Sequence, residues 1–336
     1  MVRKTELVEY SSLIITLFLV IITLKVFSSF LRPLAFAIIL AVLFTPLVQY
    51  SKKIGIPAYI TLTITIMLLL VILISLTSIV VSEANQISKH LPDYQTKITS
   101  LSQSFSSKLE FTGQTIKLEE LINLQNMNKL ITPVLQTTGK IMYEIMLIII
   151  FLIFIVPFYN SLGSKLGRLY TEKKKESITQ TINKTKESVR KYLWTKTSIS
   201  LGTALFSLLA LHLFNSEFAV SLAIIIFLFN YIPNIGSIFA VVLVSLIYFL
   251  ETGWGYPFVA LTIVLTTVQI VFGNILEPML EGSVLKMSPL VIIVSLFFWH
   301  WLWGVGGMIL AVPLTAIIKI ILEQFKNTEK IAHFMS

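Results

Sequence analysis

Two stretches of the C-terminal half decide the fold: Phe229-Asn230-Tyr231-Ile232-Pro233-Asn234-Ile235-Gly236 and Trp301-Leu302-Trp303-Gly304-Val305-Gly306-Gly307. Each interrupts a long apolar run, and each leads into the same pattern, G-x-I-x-A-V-x-L, at 236–243 and at 307–314. Lipid offers no hydrogen bonds to the backbone, so irregular chain at membrane depth persists only where protein shields it or where it lines a cavity. Paired broken segments in corresponding positions are typical of transport sites. The shared pattern is either a structural repeat or a chance match between two membrane helices.

Composition places the chain in a membrane. Of its 336 residues, 55% are hydrophobic and only 13% are charged, and the mean hydropathy is +0.85. A soluble protein of this length cannot hide so much apolar surface, so the sequence predicts an all-α, polytopic integral membrane protein with about eight spans. The chain has no cysteine, which excludes disulfides and thiol chemistry. We expect no cofactor and no metal site, and no enzyme motif such as a phosphate-binding loop or a nucleophile elbow occurs.

The positive charges mark one face of the membrane. Apolar runs near the length of a span, roughly 20 residues, predict crossings at 11–30, 34–50, 58–81, 141–158 and 197–214, with Arg32-Pro33 separating the first two. Residues 160–196 carry ten Lys or Arg and three Glu, whereas 82–139 carry five lysines and five acids. Positive charge next to spans stays in the cytoplasm. Both termini and 160–196 are therefore predicted to be cytoplasmic, 82–139 is predicted to be extracytoplasmic, and nucleic acid is excluded as the reason for the net charge of +9.

Five regions follow one another along the chain. They are a three-span region (1–81), a polar extracytoplasmic helical region (82–139), the fourth span with a basic helical segment (140–196), a C-terminal transport core (197–325) and a cytoplasmic tail (326–336).

The transport core contains two apolar runs that are too long for one crossing. A straight helix over the 33 residues of 218–250 would measure about 50 Å, and 289–323 is longer still. We predict a broken segment or a hairpin at both places, with a separate span over 257–272 between them. The charge rule does not choose between about eight and about ten crossings.

A polar group follows the span at 257–272. Pro278 lacks an N–H and disfavours helical geometry at Glu277, so the span is predicted to end at Asn274-Ile275-Leu276-Glu277-Pro278. Free carbonyls, an amide and a carboxylate would then lie together and could bind a cation or relay a proton. The alternative is that Glu277 lies at the interface in solvent.

Other polar side chains in the core have two interpretations each. Asn230 and Asn234 flank Pro233 and either repair the broken backbone or bind a polar solute, and Gln269 either bonds across helices or contacts the solute. His300 lies among tryptophans and is either an interfacial group or a proton relay. Glycines at the two breaks permit hinges and close helix contacts; they are Gly236, Gly304, Gly306 and Gly307.

These motifs resemble the AI-2E family of permeases, also described as autoinducer-2 exporters. The resemblance is carried by 229–236, by 274–278, by Ser288-Pro289-Leu290, by 298–304 and by Leu310-Ala311-Val312-Pro313-Leu314-Thr315, in the same order and with similar spacing. The three-span start followed by a polar extracytoplasmic region also fits. His300 departs from the family pattern, in which a small residue, usually Gly, is expected between the tryptophans.

The resemblance implies export of small polar molecules such as autoinducer-2, from a homo-oligomer that is a pentamer in relatives. Some members are described as Na⁺(Li⁺)/H⁺ antiporters. We therefore predict a secondary transporter of the inner or plasma membrane, with the lipid bilayer, a small polar solute and H⁺ or Na⁺ as its partners. Glu277 would be the coupling carboxylate, and Asn230, Asn234 and Gln269 would contact the solute. The alternatives are a cation/proton antiporter and a non-transporting membrane scaffold.

Overall fold

All regular secondary structure is helical in the part of the protein that a computed structural model describes. The described residues are 4–57, 59–72, 74–75, 78–79, 82, 139–158, 172–233, 235–281, 287–325 and 328–336, and no strand occurs among them. Six helices within these ranges are long and apolar enough to cross a membrane, and three shorter apolar helices accompany them. The prediction of an all-α polytopic membrane protein is confirmed. Of the polar region 82–139, only Ser82 and Gly139 are among the described residues. Asn234 lies outside them.

The chain divides into two compact units, and neither is continuous in sequence. Unit 1 comprises Met1–Leu62, Tyr143–Leu193 and Ser283–Ser336. Unit 2 comprises Thr63–Met142 and Trp194–Gly282. Each unit contains one of the two interrupted apolar runs.

The N-terminal helices turn earlier than predicted. Helix α1 (Lys4–Val26) and helix α2 (Ser28–Lys53) meet at Phe27. Arg32-Pro33 therefore does not separate the first two spans but lies inside the second one. Pro33 costs this helix one hydrogen bond because it lacks an N–H.

Three helices connect this start to the C-terminal half. They are α3 (Tyr59–Ile72), α4 (Gly139–Phe158) and α5 (Glu172–Leu213). Helix α5 joins the basic segment and the predicted fifth span into one helix of 42 residues. At a rise of about 1.5 Å per residue it is roughly 63 Å long, about twice the thickness of the hydrocarbon core. Its basic first part therefore extends beyond the lipid.

The run at 218–250 forms a hairpin, which we call hairpin 1. Helix α6 (Ala219–Phe229) ends at the break, and helix α7 (Ile235–Thr252) returns from it. The Ser216 hydroxyl donates a hydrogen bond of 3.1 Å to the Glu251 carboxylate, so the entrance and the exit of the run lie side by side. The Tyr248 hydroxyl also bonds the Phe214 carbonyl, at 2.9 Å. Both bonds require α6 and α7 to be antiparallel.

The predicted end of the next span at 274–278 is wrong. Helix α8 (Tyr256–Gln269) continues through a π-helix (Ile270–Leu276) into α9 (Glu277–Glu281). Glu277 has helical angles, with φ −58° and ψ −54°, although a proline follows it. The π-helix packs closely on α5, as described below, and this packing outweighs the local preference before proline. The span therefore runs from Tyr256 to Leu280.

The run at 289–323 is a second hairpin, hairpin 2. It lies within helix α10 (Pro289–Leu322), which is broken at Gly304, where φ is 66° and ψ is −148°. The Trp299 indole N–H donates to the Thr315 hydroxyl over 3.1 Å. In a straight helix those residues would be about 24 Å apart, so the two halves of α10 are folded back on each other. A short helix, α11 (Glu329–Phe334), follows, and the Met335 carbonyl accepts a bond from the Ser288 N–H.

Unit 2 has an apolar core in which hairpin 1 packs against the end of α5 and against α8. Its largest fully buried members are Tyr248, Phe218, Leu211, Leu222, Ile226, Leu261 and Leu265. Burying such side chains contributes about 1.5–3 kcal/mol each in a soluble protein. Within lipid, close packing and backbone satisfaction replace much of that driving force. The core holds the hairpin on α5, and this contact positions the polar groups of unit 2.

Candidate functional site

The site in unit 2 is built on α5, at a residue that ends the predicted basic segment. The ammonium of Lys196 forms an ion pair with Oε1 of Glu277. The Lys196 side chain is 4% exposed and the Glu277 side chain is 19% exposed. Glu277 is therefore not in open solvent, and its charge is balanced by a cation that the protein itself supplies.

The next residue of α5 contacts the break of hairpin 1. The hydroxyls of Thr197 and Tyr231 lie 2.9 Å apart and share a hydrogen bond. Lys196 and Thr197 thus hold the two polar segments that the sequence singled out, the turn at 229–236 and the group at 274–278. Both segments meet α5 at one level, about 25 Å from its end at Leu213, since 17 residues of helix separate Lys196 from Leu213.

Between Lys196 and the end of α5 at Leu213, α5 and the π-helix pack closely. A Cβ atom on Gly202 would collide with the Phe272 ring. Phe272 also stacks on Phe206, with ring centroids 5.3 Å apart. The order of contacts, from Lys196 with Glu277 to Gly202 with Phe272, shows that α5 and the segment 256–281 are antiparallel. The glycine permits the close approach that carries Glu277 to Lys196.

A polar stripe runs along α5 from the ion pair. Its members are Lys196, Ser200, Thr203 and Ser207, and each of these residues, counted with its backbone, is at most 3% exposed. Spacings of three and four residues place them on one helix face. The Thr203 hydroxyl is satisfied within the helix by the Ile199 carbonyl, at 2.8 Å. The Ser200 hydroxyl has no hydrogen-bond partner among the described residues.

Unit 2 concentrates the buried polar atoms that lack a partner. Five side-chain atoms of this unit make no hydrogen bond within the described ranges: the hydroxyls of Ser200, Ser221 and Ser245, Nδ2 of Asn230 and Oε1 of Gln269. Leaving one such group unsatisfied costs about 1–3 kcal/mol. Donors and acceptors of this kind are available to water or to a polar solute.

The predicted residues of unit 2 differ in their surroundings. Asn230 is 4% exposed, and Pro233 lies beside it in the break. Gln269 precedes the π-helix, and its amide is so close to Gly273 that a Cβ atom there would lie 2.8 Å from Nε2. Asn274 and Pro278, by contrast, are exposed. Asn234 lies outside the described residues.

Both hairpins use a glycine in the same way just after the break. A Cβ atom on Gly236 would collide with the Phe229 carbonyl, and one on Gly307 would collide with the Trp299 carbonyl. In both cases the glycine presses against the end of the preceding helix. These are the first residues of the two G-x-I-x-A-V-x-L matches, and the Ala of each match is 0% exposed, at positions 240 and 311. The shared pattern therefore marks the same glycine contact in both hairpins.

In unit 1, protein cations bind the carbonyls that the break at Gly304 releases. The Lys25 ammonium donates to the Trp301 carbonyl and lies 4.1 Å from the centroid of its ring. Nη1 of Arg32 donates to the Trp303 carbonyl over 2.9 Å, and Nη2 pairs with Glu144. The carbonyl end of a helix carries partial negative charge, so cations stabilise it.

The other predicted residues of unit 1 surround this cap. The Arg32 stem lies where a Cβ atom on Gly306 would be, 2.9 Å from Cδ. His300 is exposed on the first half of hairpin 2. The structure thus gives Gly304, Gly306 and Gly307 roles in the turn, while a part in transport for these glycines and for His300 stays a prediction.

Sequence reasoning missed the charged residues that complete both places: Lys25, Arg32, Glu144 and Lys196. Lys25 and Glu144 lie inside predicted spans, where an ionisable residue calls for a partner or a function. That rule would have singled them out. Lys196 was counted with the cytoplasmic basic segment because it stands one residue before the predicted span. Within the described residues no group of three or more His, Asp or Glu side chains could hold a metal ion.

Known proteins resemble this chain over nearly its full length. The model of the AI-2E family transporter matches residues 12–327. The AI-2 transport protein TqsA of Escherichia coli strain K12 is 31% identical over 307 residues, which cover 90% of this chain and 88% of that protein. A protein of Borreliella burgdorferi named "Putative transport protein" is 28% identical and covers 99% of this chain and 91% of its own length.

A Haemophilus influenzae protein of the same name is 27% identical over 92% of this chain and 90% of its own length. Family match and relatives agree with the six candidate spans, so the chain is a multi-pass membrane transporter. The resemblance drawn from the broken segments is confirmed, and the chain belongs to the AI-2E transporter family.

Proposed function

We propose that this transporter is a secondary exporter of small polar molecules of the autoinducer-2 kind, and that the solute passes through unit 2. The observation that carries the proposal is that five buried polar side-chain atoms of that unit have no partner among the described residues. The name of the relative TqsA supports the solute class. Both termini would be cytoplasmic, as the distribution of Lys and Arg indicates.

In this proposal the residues of unit 2 have distinct roles. Asn230 and Gln269 offer an amide donor and an amide acceptor to the solute, and Asn234 is a predicted third contact. Pro233 and Gly236 keep the backbone broken beside them. Asn274 and Pro278 follow on the π-helix and α9, and π-helical turns are frequent at functional sites. Glu277, held by Lys196, is the charged group of the site.

The Na⁺(Li⁺)/H⁺ antiporter remains the second candidate, and one contact weighs against it. Such an exchanger needs a carboxylate that takes up a cation in each cycle. The Glu277 carboxylate is already paired with the Lys196 ammonium. This pair favours export of an uncharged polar solute over cation exchange. A scaffold without transport is the candidate of another class.

The test is solute flux in proteoliposomes, with autoinducer-2 as the probe. We expect Glu277→Gln to lose most of the flux, because it leaves the Lys196 ammonium unpaired in a buried site. The matched control is Glu217→Gln, which neutralises an exposed acid of the same unit. Full flux in Glu277→Gln would remove that carboxylate from the mechanism. No flux in the unaltered protein, with a sodium- and pH-dependent dye response instead, would favour the antiporter. The absence of both flux and dye response would favour the scaffold.

The homo-oligomer implied by the family resemblance, a pentamer, is also part of the proposal. The large exposed apolar side chains of α1 and α2 are suited to lipid or to neighbouring copies. The mass of the complex in detergent, measured by light scattering, tests it.

A further inference from the structure

The two units contain ion pairs of different design. In unit 1, Arg32 pairs with Glu144 while its guanidinium also bonds the Trp303 carbonyl, so several bonds fix it in place. In unit 2, Lys196 meets Glu277 as a point charge on a flexible four-carbon stem. The first arrangement suits a permanent brace. The second suits a cation that can leave the carboxylate and return.

The Lys196 pair is also the more deeply buried one. Its lysine side chain is 4% exposed, whereas both members of the Arg32 pair are about a quarter exposed, at 24% and 28%. A carboxylate in such a place needs a cation beside it, because an unpaired buried charge is strongly unfavourable. A bound monovalent cation or a proton can meet that need, and so can a lysine ammonium.

We propose that Lys196 is a tethered counter-ion, which takes on Glu277 the place that a coupling cation would otherwise take, so that this chain moves its solute without Na⁺. The inference rests on the proposed function and names its ion dependence. It follows from charge balance at the pair. With Lys196 present the pair is neutral, and an added Na⁺ would leave a net positive charge in a buried site. Without the ammonium the site is negative and recruits a cation.

The surroundings of the pair agree with a working site rather than a brace. The polar stripe of α5 begins at Lys196 and includes Ser200, whose buried hydroxyl has no partner within the described ranges. The hydroxyls of Thr197 and Tyr231 lie at the same level of α5. An ammonium that leaves Glu277 therefore has neutral oxygen atoms nearby, and so does a small cation that binds Glu277 in a variant without Lys196.

The experiment measures flux of autoinducer-2 in proteoliposomes in choline medium and in sodium medium. For the unaltered protein, and separately for Lys196→Arg, flux in sodium medium should equal flux in choline medium, because each keeps a cation on Glu277. Lys196→Met should be at least about tenfold slower in choline, since its carboxylate is unpaired, and sodium should restore it. Lys196→Met combined with Glu277→Gln removes both charges and should not respond to sodium.

A second measurement needs no transport and separates this inference from the proposed function. Sodium should raise the Tm of detergent-purified Lys196→Met, because a bound ion stabilises the folded state. It should leave the Tm of the unaltered protein and of the double variant unchanged. If the unaltered protein carries no solute, the proposed function fails while this shift still tests the pair. If Lys196→Met does not fold, Lys196→Gln takes its place.

Two results would overturn the inference. One is sodium-stimulated flux in the unaltered protein, because Na⁺ would then act although Lys196 is present. The other is a Lys196→Met or Lys196→Gln variant that folds but whose flux and Tm are indifferent to sodium, because the ammonium would then not be standing in for a cation.

Discussion

Hairpin 1 and hairpin 2 both reverse an apolar run, but they satisfy the polar groups at their breaks differently. Each folds an apolar run back on itself, and each places a glycine, Gly236 or Gly307, against a carbonyl of the preceding helix. At hairpin 2 the freed carbonyls of Trp301 and Trp303 bond to protein cations. At hairpin 1 the buried Asn230 keeps a donor without a partner among the described residues. A shared glycine contact therefore does not determine a shared role.

The two breaks are therefore expected to have different roles. In hairpin 2 the protein itself fills the positions that a solute would need, so we expect its break to act as a brace. In hairpin 1 backbone N–H groups of the turn bond the carbonyls of Leu228 and Phe229, while the buried Asn230 amide keeps a donor without a partner among the described residues. We therefore expect this break to exchange water or solute. The Trp303 indole adds to the brace by donating to the Leu24 carbonyl over 3.0 Å. Breaking the brace should cost stability, and changing the other break should alter access.

The largest effect should come from Arg32→Met. The change removes the bond to the Trp303 carbonyl and leaves Glu144 without its cation. Losing one partner of a part-buried pair should destabilise the protein by about 3 kcal/mol, the lower end of the range for buried pairs. Thermal unfolding in detergent should show a fall in Tm of several degrees.

The matched control is Lys184→Met. Its pair with Glu323 is also between distant residues, but the Lys184 side chain is 57% exposed. Such pairs contribute about 0–1 kcal/mol, so its Tm should hardly change. If Arg32→Met is as stable as this control, the cap on hairpin 2 is not a brace, and the contrast between the two breaks loses its main support.

The second prediction tests whether the two turns are equivalent. Gly236→Ala and Gly307→Ala each place a methyl group against a backbone carbonyl, which cannot move as a side-chain end can. Both should destabilise the protein by about 1–3 kcal/mol, as overpacking does, and their losses of Tm should be similar. Gly139→Ala is the control, because nothing lies within 4 Å of its added Cβ atom. A loss in one hairpin alone would show that the shared pattern is a coincidence.

Much of the fold could be read from the sequence because the lipid imposes it. Length and hydropathy predicted helices, and runs of 33 residues or more had to bend since a straight helix would overshoot the membrane. The sequence left open whether 289–323 was a kinked span or a hairpin. That choice depends on the bond between Trp299 and Thr315, which joins two faces of the same run.

The partners of the charged residues could not be predicted from local pattern. Arg32 bonds a carbonyl 271 positions away and a carboxylate 112 positions away, and Lys196 finds Glu277 across 81 positions. Only tertiary packing brings such groups together. The expected end of a span at Glu277 failed for a related reason. The local preference before proline was real, but close packing of the π-helix on α5 outweighed it.

The last prediction compares water access at the two breaks, and the absence of cysteine from the chain makes it direct. Asn230 and Leu302 precede the two breaks and are equally buried, at 4% exposure each. If the exposed fraction in the structure alone set the rate, Asn230→Cys and Leu302→Cys would react equally fast with a membrane-impermeant thiol reagent. We expect Asn230→Cys to react about tenfold faster, a difference of about 1.4 kcal/mol in the free energy of exposing the two sites.

The physical reason lies in what each break must give up to open. Opening hairpin 2 requires Lys25 and Arg32 to release the carbonyls that they bind, whereas Asn230 has a donor with no described partner to lose. Arg32→Met should accordingly speed the reaction at Leu302→Cys and leave that at Asn230→Cys unchanged. Equal rates at both thiols would mean that the unmet polar atoms of unit 2 do not mark a hydrated path, since a sealed break and a permeable one cannot admit water equally.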